Sequence, residues 1–391
     1  MKKKELLLSF LFYQFAYCVA QKAPCGAFIF DVKKSQSFDY QIDSFVKTSS
    51  SAMSREAIYI PVVVHILWRT NNEYVSDETV LSQIDALNRD FNAQNQDLKK
   101  VPVEFKSLIG NVGIHFCLAA KDTLGKPTTG ILRKQITDST LVLSEKVFYT
   151  KLGGSDAWNT EKYLNIWVVN TGKNLGGLAS YPNQTVPEKT GVIIHPKYFG
   201  INDNLKYGMG RVATHEIGHF LGLKHTWADD DKCETDDNVE DTPLQKRAYF
   251  GCPSYPQKGC SESEMFMNFM DYVNDPCMIM FTEGQKKRML ATLQTVRKGL
   301  INSQSQCIIA NNQGKFNQFV LFPNPTNGFL NISFKEAQQK QIEYSIFDTL
   351  GQLVVKNKLL VNQDFNFGFL DYPKGVYFIK IGNETVKFLK F

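Results

Sequence analysis

The sequence predicts a mixed α/β domain, with a twisted mixed sheet and a chemistry-bearing helix, followed by a small all-β sandwich. Three observations predict it. Strand-like apolar runs interleave with a long amphipathic helix pattern between Ile58 and Ile194. His215 and His219 stand four residues apart, as one face of a helix requires. Beyond Cys307 the pattern changes to short Phe, Ile, Val and Tyr runs separated by turn signals.

At 391 residues with 43% hydrophobic side chains, the chain has material for a large core plus a smaller module. Residues 1–20 read as a secretory signal: Lys2-Lys3-Lys4, an apolar run from Leu6 to Val19, then Ala20. That run is shorter than the roughly 20 residues of a spanning helix. A lipoprotein reading at Cys18 is disfavoured by bulky Tyr17. No later segment is apolar enough to span a bilayer, so no transmembrane segment is expected in the mature form. Residues 21–55 are weakly periodic, contain Ser49-Ser50-Ser51, and read as a pro-segment with a joint or as a plain tail.

The main domain is expected over residues 56–307. Ile58–Trp68 is nearly continuous in Ile, Val and Leu, the pattern of a strand buried on both faces. Ser76 caps a helix whose apolar face is Val80, Ile84, Leu87 and Phe91. Further strands are expected over Gly113–Ala119, Tyr163–Val169 and Gly191–Ile194. Between the last two, the glycine-bearing stretch from Leu175 to Tyr181 fits a substrate-binding edge strand and a simple turn equally well.

A polar joint, 308–317, precedes the sandwich at 318–391, whose turn signals include Asn327-Gly328, Leu350-Gly351 and Pro373-Lys374-Gly375. The net charge of +5 is modest, and its lysines and arginines are scattered, which argues against nucleic acid as a partner. Eight cysteines become seven if Cys18 leaves with the signal. Export makes disulfides the default for most of them, and the odd count leaves one for another task.

The informative segment runs from His215 to His225, with Glu216, His219 and Gly222 between. On a helix His215 and His219 can reach one ion at about 2.0–2.1 Å, with Glu216 beside it. Gly222 can end that helix in the left-handed conformation and turn His225 toward the same ion. Zinc held by three neutral imidazoles lowers the pKa of water and polarises a carbonyl, while Glu216 is placed to accept the proton and return it to the leaving amine. A chance match to all five specified residues in one chain is below about one in a thousand.

This pattern, His-Glu-x-x-His-x-x-Gly-x-x-His, resembles the metzincin metalloproteases. The resemblance implies a methionine turn at Asn268-Phe269-Met270-Asp271-Tyr272, with Met270 packed under the metal and Tyr272 able to stabilise an oxyanion. More narrowly, residues Ile58 to Met289 resemble the pappalysin or cytophagalysin branch, on the motif through Trp227, Asp241-Thr242-Pro243, Phe250-Gly251-Cys252, and Cys277-Met278 to Phe281-Thr282. The branch implies disulfides Cys233–Cys260 and Cys252–Cys277, which spacing alone does not select. It also implies calcium on the Asp237 carboxylate and the Val239 and Thr242 carbonyls, within the cluster Asp236, Asp237, Glu240 and Asp241. A solvated acidic loop is the plainer alternative. It further places Asp275 at the bottom of the pocket just after the scissile bond, selecting Arg and then Lys, although Pro276 beside it also fits a turn. Ser54-Arg55 would then suit self-cleavage. Cys25 would block the zinc in a zymogen, as in similar proenzymes, and its removal leaves Cys117 and Cys307 to pair.

The tail, on Phe322-Pro323-Asn324-Pro325-Thr326-Asn327-Gly328, Phe347-Asp348-Thr349-Leu350-Gly351 and Lys374-Gly375-Val376-Tyr377-Phe378, resembles the C-terminal sorting domain of the type IX secretion system of Bacteroidetes. A carbohydrate-binding module is the structural alternative. The expectation is a secreted or cell-surface zinc endopeptidase, made as a zymogen, acting on proteins or peptides before Arg or Lys, and using the type IX machinery for export. Alternatives are an inactive protease-fold adhesin, against which Glu216 argues, and a hydrolase of non-peptide amides.

Overall fold

The computed structural model describes residues 25–26, 32–48, 57–142, 144–172, 175–202, 206–303 and 307, and most of 319–390. The signal segment, the serine stretch with Ser54-Arg55, and the 308–317 joint lie outside the described residues.

In chain order the first region contains β1 (Cys25–Gly26), α1 (Val32–Thr48), β2 (Ile58–Trp68), α2 (Asp77–Phe91), β3 (Ile114–Leu118), β4 (Ile131–Gln135), β5 (Leu164–Val169), β6 (Gly177–Ala179) and β7 (Val192–Ile194). It continues through α3 (Arg211–Phe220), α4 (Glu283–Gln294) and α5 (Lys298–Ile301). The sheet order is β1-β6-β7-β5-β2-β3, with β4 also paired to β2. Strands β2, β3, β4, β5 and β7 are parallel, whereas β6 runs antiparallel to β7. Apart from Trp68, β2 is buried throughout, which explains its unbroken apolar sequence.

Helix α2 packs below this sheet. Ser76 accepts a hydrogen bond from the Thr79 amide, and Val80, Ile84, Leu87 and Phe91 are buried on one stripe. Each contributes about 1.5–3 kcal/mol by leaving water. The Gln83 amide donates to the Gly210 carbonyl (3.0 Å), and Thr214 donates to the Asp90 carboxylate (2.8 Å), so α2 fixes the start of α3.

Several elements go beyond the sequence expectation, helices α4 and α5 among them. The segment before residue 55 forms the 17-residue helix α1, and Ile131–Gln135 forms a strand. The glycine-bearing segment forms the edge strand β6, and β1 lies parallel on it, with Cys25 opposite Gly177.

The C-terminal strands are β8 (Phe319–Phe322), β9 (Phe329–Phe334), β10 (Lys340–Phe347), β11 (Leu353–Val361), β12 (Phe365–Gly368), β13 (Gly375–Ile381) and β14 (Glu384–Lys390). They form sheets ordered β11-β10-β13-β14 and β12-β9-β8, around a separate core that includes Leu330, Ile332, Tyr344, Ile346 and Phe369. Among the described residues no helix is long and apolar enough to cross a membrane.

Candidate active site

Helix α3 carries His215, Glu216 and His219 on buried positions. It ends where Gly222 takes φ +89, with the Leu223 amide donating to the Gly218 carbonyl (3.0 Å) and the Gly222 amide to the His219 carbonyl (2.9 Å). This closure needs a left-handed residue at Gly222 and turns the chain back toward the helix. His225 therefore returns to the ends of His215 and His219.

The three Nε2 atoms converge: His219 lies 3.1 Å from His215 and 3.0 Å from His225. A tetrahedral ion at about 2.0–2.1 Å from each nitrogen separates neighbouring ligand atoms by about 3.3 Å, so the spacing fits one zinc. Each Nδ1 has its own partner: the Phe269 carbonyl for His215 (2.7 Å), the Leu223 carbonyl for His219 (2.8 Å) and the Asp229 carboxylate for His225 (2.7 Å). Such partners leave Nε2 as the ligand atom on every ring. Burial, followed by the neighbouring histidines, holds His215 well below the ordinary imidazole pKa. Burial and then His225 lower His219 to about 3. Both rings are thus neutral donors at physiological pH, as metal ligation requires.

Glu216 is fully buried against β6: a Cβ at Gly177 would lie 2.6 Å from its Cγ. That glycine lets the edge strand approach the carboxylate. Met270 lies under the helix, with its Sδ 2.5 Å from where a Cβ on Gly218 would stand. The turn is fixed by the paired amides of Asn268 and Gln285, at 2.9 and 3.0 Å. Tyr272 closes the other side, with its ring 4.9 Å from His225 and 5.6 Å from His215. Trp227 stacks on His225 at 4.2 Å.

A small pocket beyond His215 is lined by Tyr207, Val212, Glu216, Tyr272 and Met278. Asp275, expected at its bottom, is not among the lining residues and is fully buried: its Oδ2 accepts from the Met209 and Arg211 amides, while Oδ1 has no hydrogen-bond donor among the described residues. Burial raises its pKa to about 6, and its charge, after burial, helps push the Tyr207 hydroxyl up to about 12.

Disulfides Cys233–Cys260, Cys252–Cys277 and Cys117–Cys307 are closed, the first two bracing the loop between His225 and Met270. Within it Asp237 is buried, and its carboxylate accepts from the Val239 amide (3.0 Å) and the Thr242 hydroxyl (2.8 Å). Burial and then Asp236 hold its pKa well above the usual carboxylate value. Asp241 instead accepts from Thr282 and Gly284 at the start of α4. Two features were not foreseen: Asp229 behind His225, and the buried Arg211, whose guanidinium donates to Asp97 and to the Asp275 carbonyl. The i+4 spacing of Asp229 from His225 was the available signal.

Among known families, the model described as pregnancy-associated plasma protein-A matches residues 149–294, and the secretion system C-terminal sorting domain matches 320–390. An extracellular metalloprotease of Arthroderma gypseum is 30% identical over 254 residues, covering 62% of this chain and 75% of that one. Among solved structures, a mutant of Tannerella forsythia promirolysin is 38% identical with a TM-score of 0.66, over 72% of this chain and 98% of that one. Mature mirolysin of Tannerella forsythia, in complex with a cleaved peptide, is 42% identical with a TM-score of 0.62, over 65% of this chain and 99% of that one.

Proposed function

Because this chain belongs to the pregnancy-associated plasma protein-A family of metalloproteases, and is thereby a secreted or cell-surface zinc metalloendopeptidase, we propose a role for each site residue. His215, His219 and His225 hold the zinc, which when bound polarises the scissile carbonyl and acidifies water. Glu216 accepts the proton of the attacking water and delivers it to the leaving amine. The Tyr272 hydroxyl donates to the oxyanion that develops on the carbonyl, and Met270 supports the histidines from below. The substrate backbone lies along β6, the strand that already pairs with β1. The observation carrying this reading is the convergence of three Nε2 atoms beside a buried glutamate. Glu216→Ala should keep stoichiometric zinc while casein cleavage falls by about a hundredfold or more; full activity in that variant would remove Glu216 from the mechanism.

Asp275 selects Arg, and less well Lys, after the scissile bond. The support is its buried Oδ1, which has no donor among the described residues, and its charge acting on the pocket residue Tyr207. Calcium binds Asp237 with the Val239 and Thr242 carbonyls, which offsets the cost of burying that carboxylate. Sequencing of products from a peptide library tests the first proposal, and metal analysis the second.

The chain is made as a zymogen whose pro-segment is residues 21–55, with the Cys25 thiol taking the fourth zinc position and cleavage at Ser54-Arg55 releasing it. Pairing of Cys25–Gly26 with Gly177–Leu178 supports this, as does the similarity to a promirolysin mutant. Alkylating Cys25 in the precursor should raise activity; no change would make Cys25 structural. The main domain spans 56–307 and the sandwich 318–391. The latter is the sorting domain, and the type IX machinery is its partner.

A further inference from the structure

Helix α1 is seated on the catalytic region by the apolar side chains Phe38 and Ile42 and the acidic side chains Asp39 and Asp43. Phe38 is buried with its ring 5.4 Å from Tyr181 and its edge 2.7 Å from where a Cβ on Gly222 would stand. Asp39 bridges two cations: one carboxylate oxygen accepts from Lys224 Nζ (2.7 Å) and the other from the Arg288 guanidinium. Asp43, also on α1, lies 3.7 Å from Arg288. The ion pairs of Lys224 and Arg288 among the described residues are all made with this helix.

Both cations belong to the catalytic region and are held there independently of α1. Arg288 Nε donates to the Gly222 carbonyl (2.7 Å), and its terminal nitrogen donates to the Tyr181 hydroxyl (3.2 Å). Lys224 also donates to the Asn238 side chain. Lys224 lines a cavity of about 510 Å³ together with Asp39, Tyr181, His219, His225, Asp229 and Asp236, and Arg288 meets it through its contact with Asp39. The cavity takes His219 and His225 into its wall, whereas the pocket formed by Tyr207 and Met278 takes His215.

Departure of α1 removes Asp39 and Asp43 together. Lys224 and Arg288 then lose the carboxylates with which they pair, an arrangement that favours an incoming anion. A carboxylate bridged by a lysine and an arginine is also a charge-assisted contact of the stronger kind.

We propose that, in the mature enzyme, Lys224 and Arg288 form a carboxylate-binding subsite that takes an Asp or Glu side chain from the substrate segment preceding the scissile bond, with Asp39 occupying it in the precursor. This rests on the zymogen and cleavage readings above. It makes the enzyme select an acidic residue upstream and a basic residue downstream of one bond.

The test uses the activated enzyme and fluorogenic peptides that share an Arg after the scissile bond and carry Asp or Asn at each upstream position in turn. At one or two positions kcat/KM should be about tenfold higher for Asp than for Asn, the size of one charge-assisted contact. That ratio should fall toward one in Lys224→Gln, and also in the wild type at high salt. Equal rates for the Asp and Asn peptides at every position, or a ratio retained in Lys224→Gln, would overturn the subsite. Failure to cut any peptide at the Arg would instead overturn the cleavage reading beneath it, and the subsite with it.

Discussion

Asp229 Oδ1 stands 2.7 Å from His225 Nδ1, so the third histidine of the triad is oriented by a side chain, whereas backbone carbonyls orient the other two. Asp229 reaches this position from a left-handed backbone (φ +57), next to Ala228 in the same region (φ +51). Two consecutive non-glycine residues there are uncommon, and the hydrogen bond to His225 helps hold them. Asp229→Ala should weaken zinc binding by about 10–100-fold, measured by competition with a chromogenic chelator. An unchanged zinc affinity would show that Trp227 stacking alone holds the ring.

Gly177→Ala should impair catalysis without loss of zinc. The added methyl would lie 2.6 Å from Glu216 Cγ, so the carboxylate or the edge strand must move. A shift of roughly 1 Å costs about a hundredfold in rate. Metal content at the wild-type level with reduced kcat is expected; an unaltered kcat would mean that Glu216 has room to adjust.

Discrimination between Arg and a neutral residue after the scissile bond should depend on pH. Burial raises Asp275 to about 6, so the folded enzyme carries a carboxylate above that pH and a neutral acid below it. The ratio of kcat/KM for Arg over a neutral isostere should therefore fall as the pH drops through about 6. Asp275→Asn should show a low ratio at every pH. A wild-type ratio that stays flat would place recognition elsewhere.

Chelating calcium should lower the thermal midpoint. Asp237 is buried and raised well above its usual pKa, a costly arrangement unless a cation binds. The shift should vanish in Asp237→Asn. An equal shift in that variant would move the calcium to another site.

Much of this was legible in the sequence, for physical reasons that differ by element. Ile58–Trp68 reads as a central strand because a strand buried on both faces must be apolar at every position. Gly222 reads as a helix stop because the left-handed turn to His225 has few other solutions. Strand β4 was not legible: only Ile131 is buried, and Arg133, Lys134 and Gln135 are held by pairing with β2, a contact distant in sequence. Helix α1 was not legible either. Its anchors Phe38 and Ile42 are diluted by Asp39, whose place on the packed face makes sense only once Lys224 and Arg288 are seen beside it.

The central claim is that His215, His219 and His225 hold one zinc that hydrolysis requires. Metal content measured together with peptidase activity, before and after chelation and after adding zinc back, tests it directly. One zinc per chain, activity lost with the metal and restored with it, is the predicted result. Full activity in exhaustively metal-free protein would contradict it.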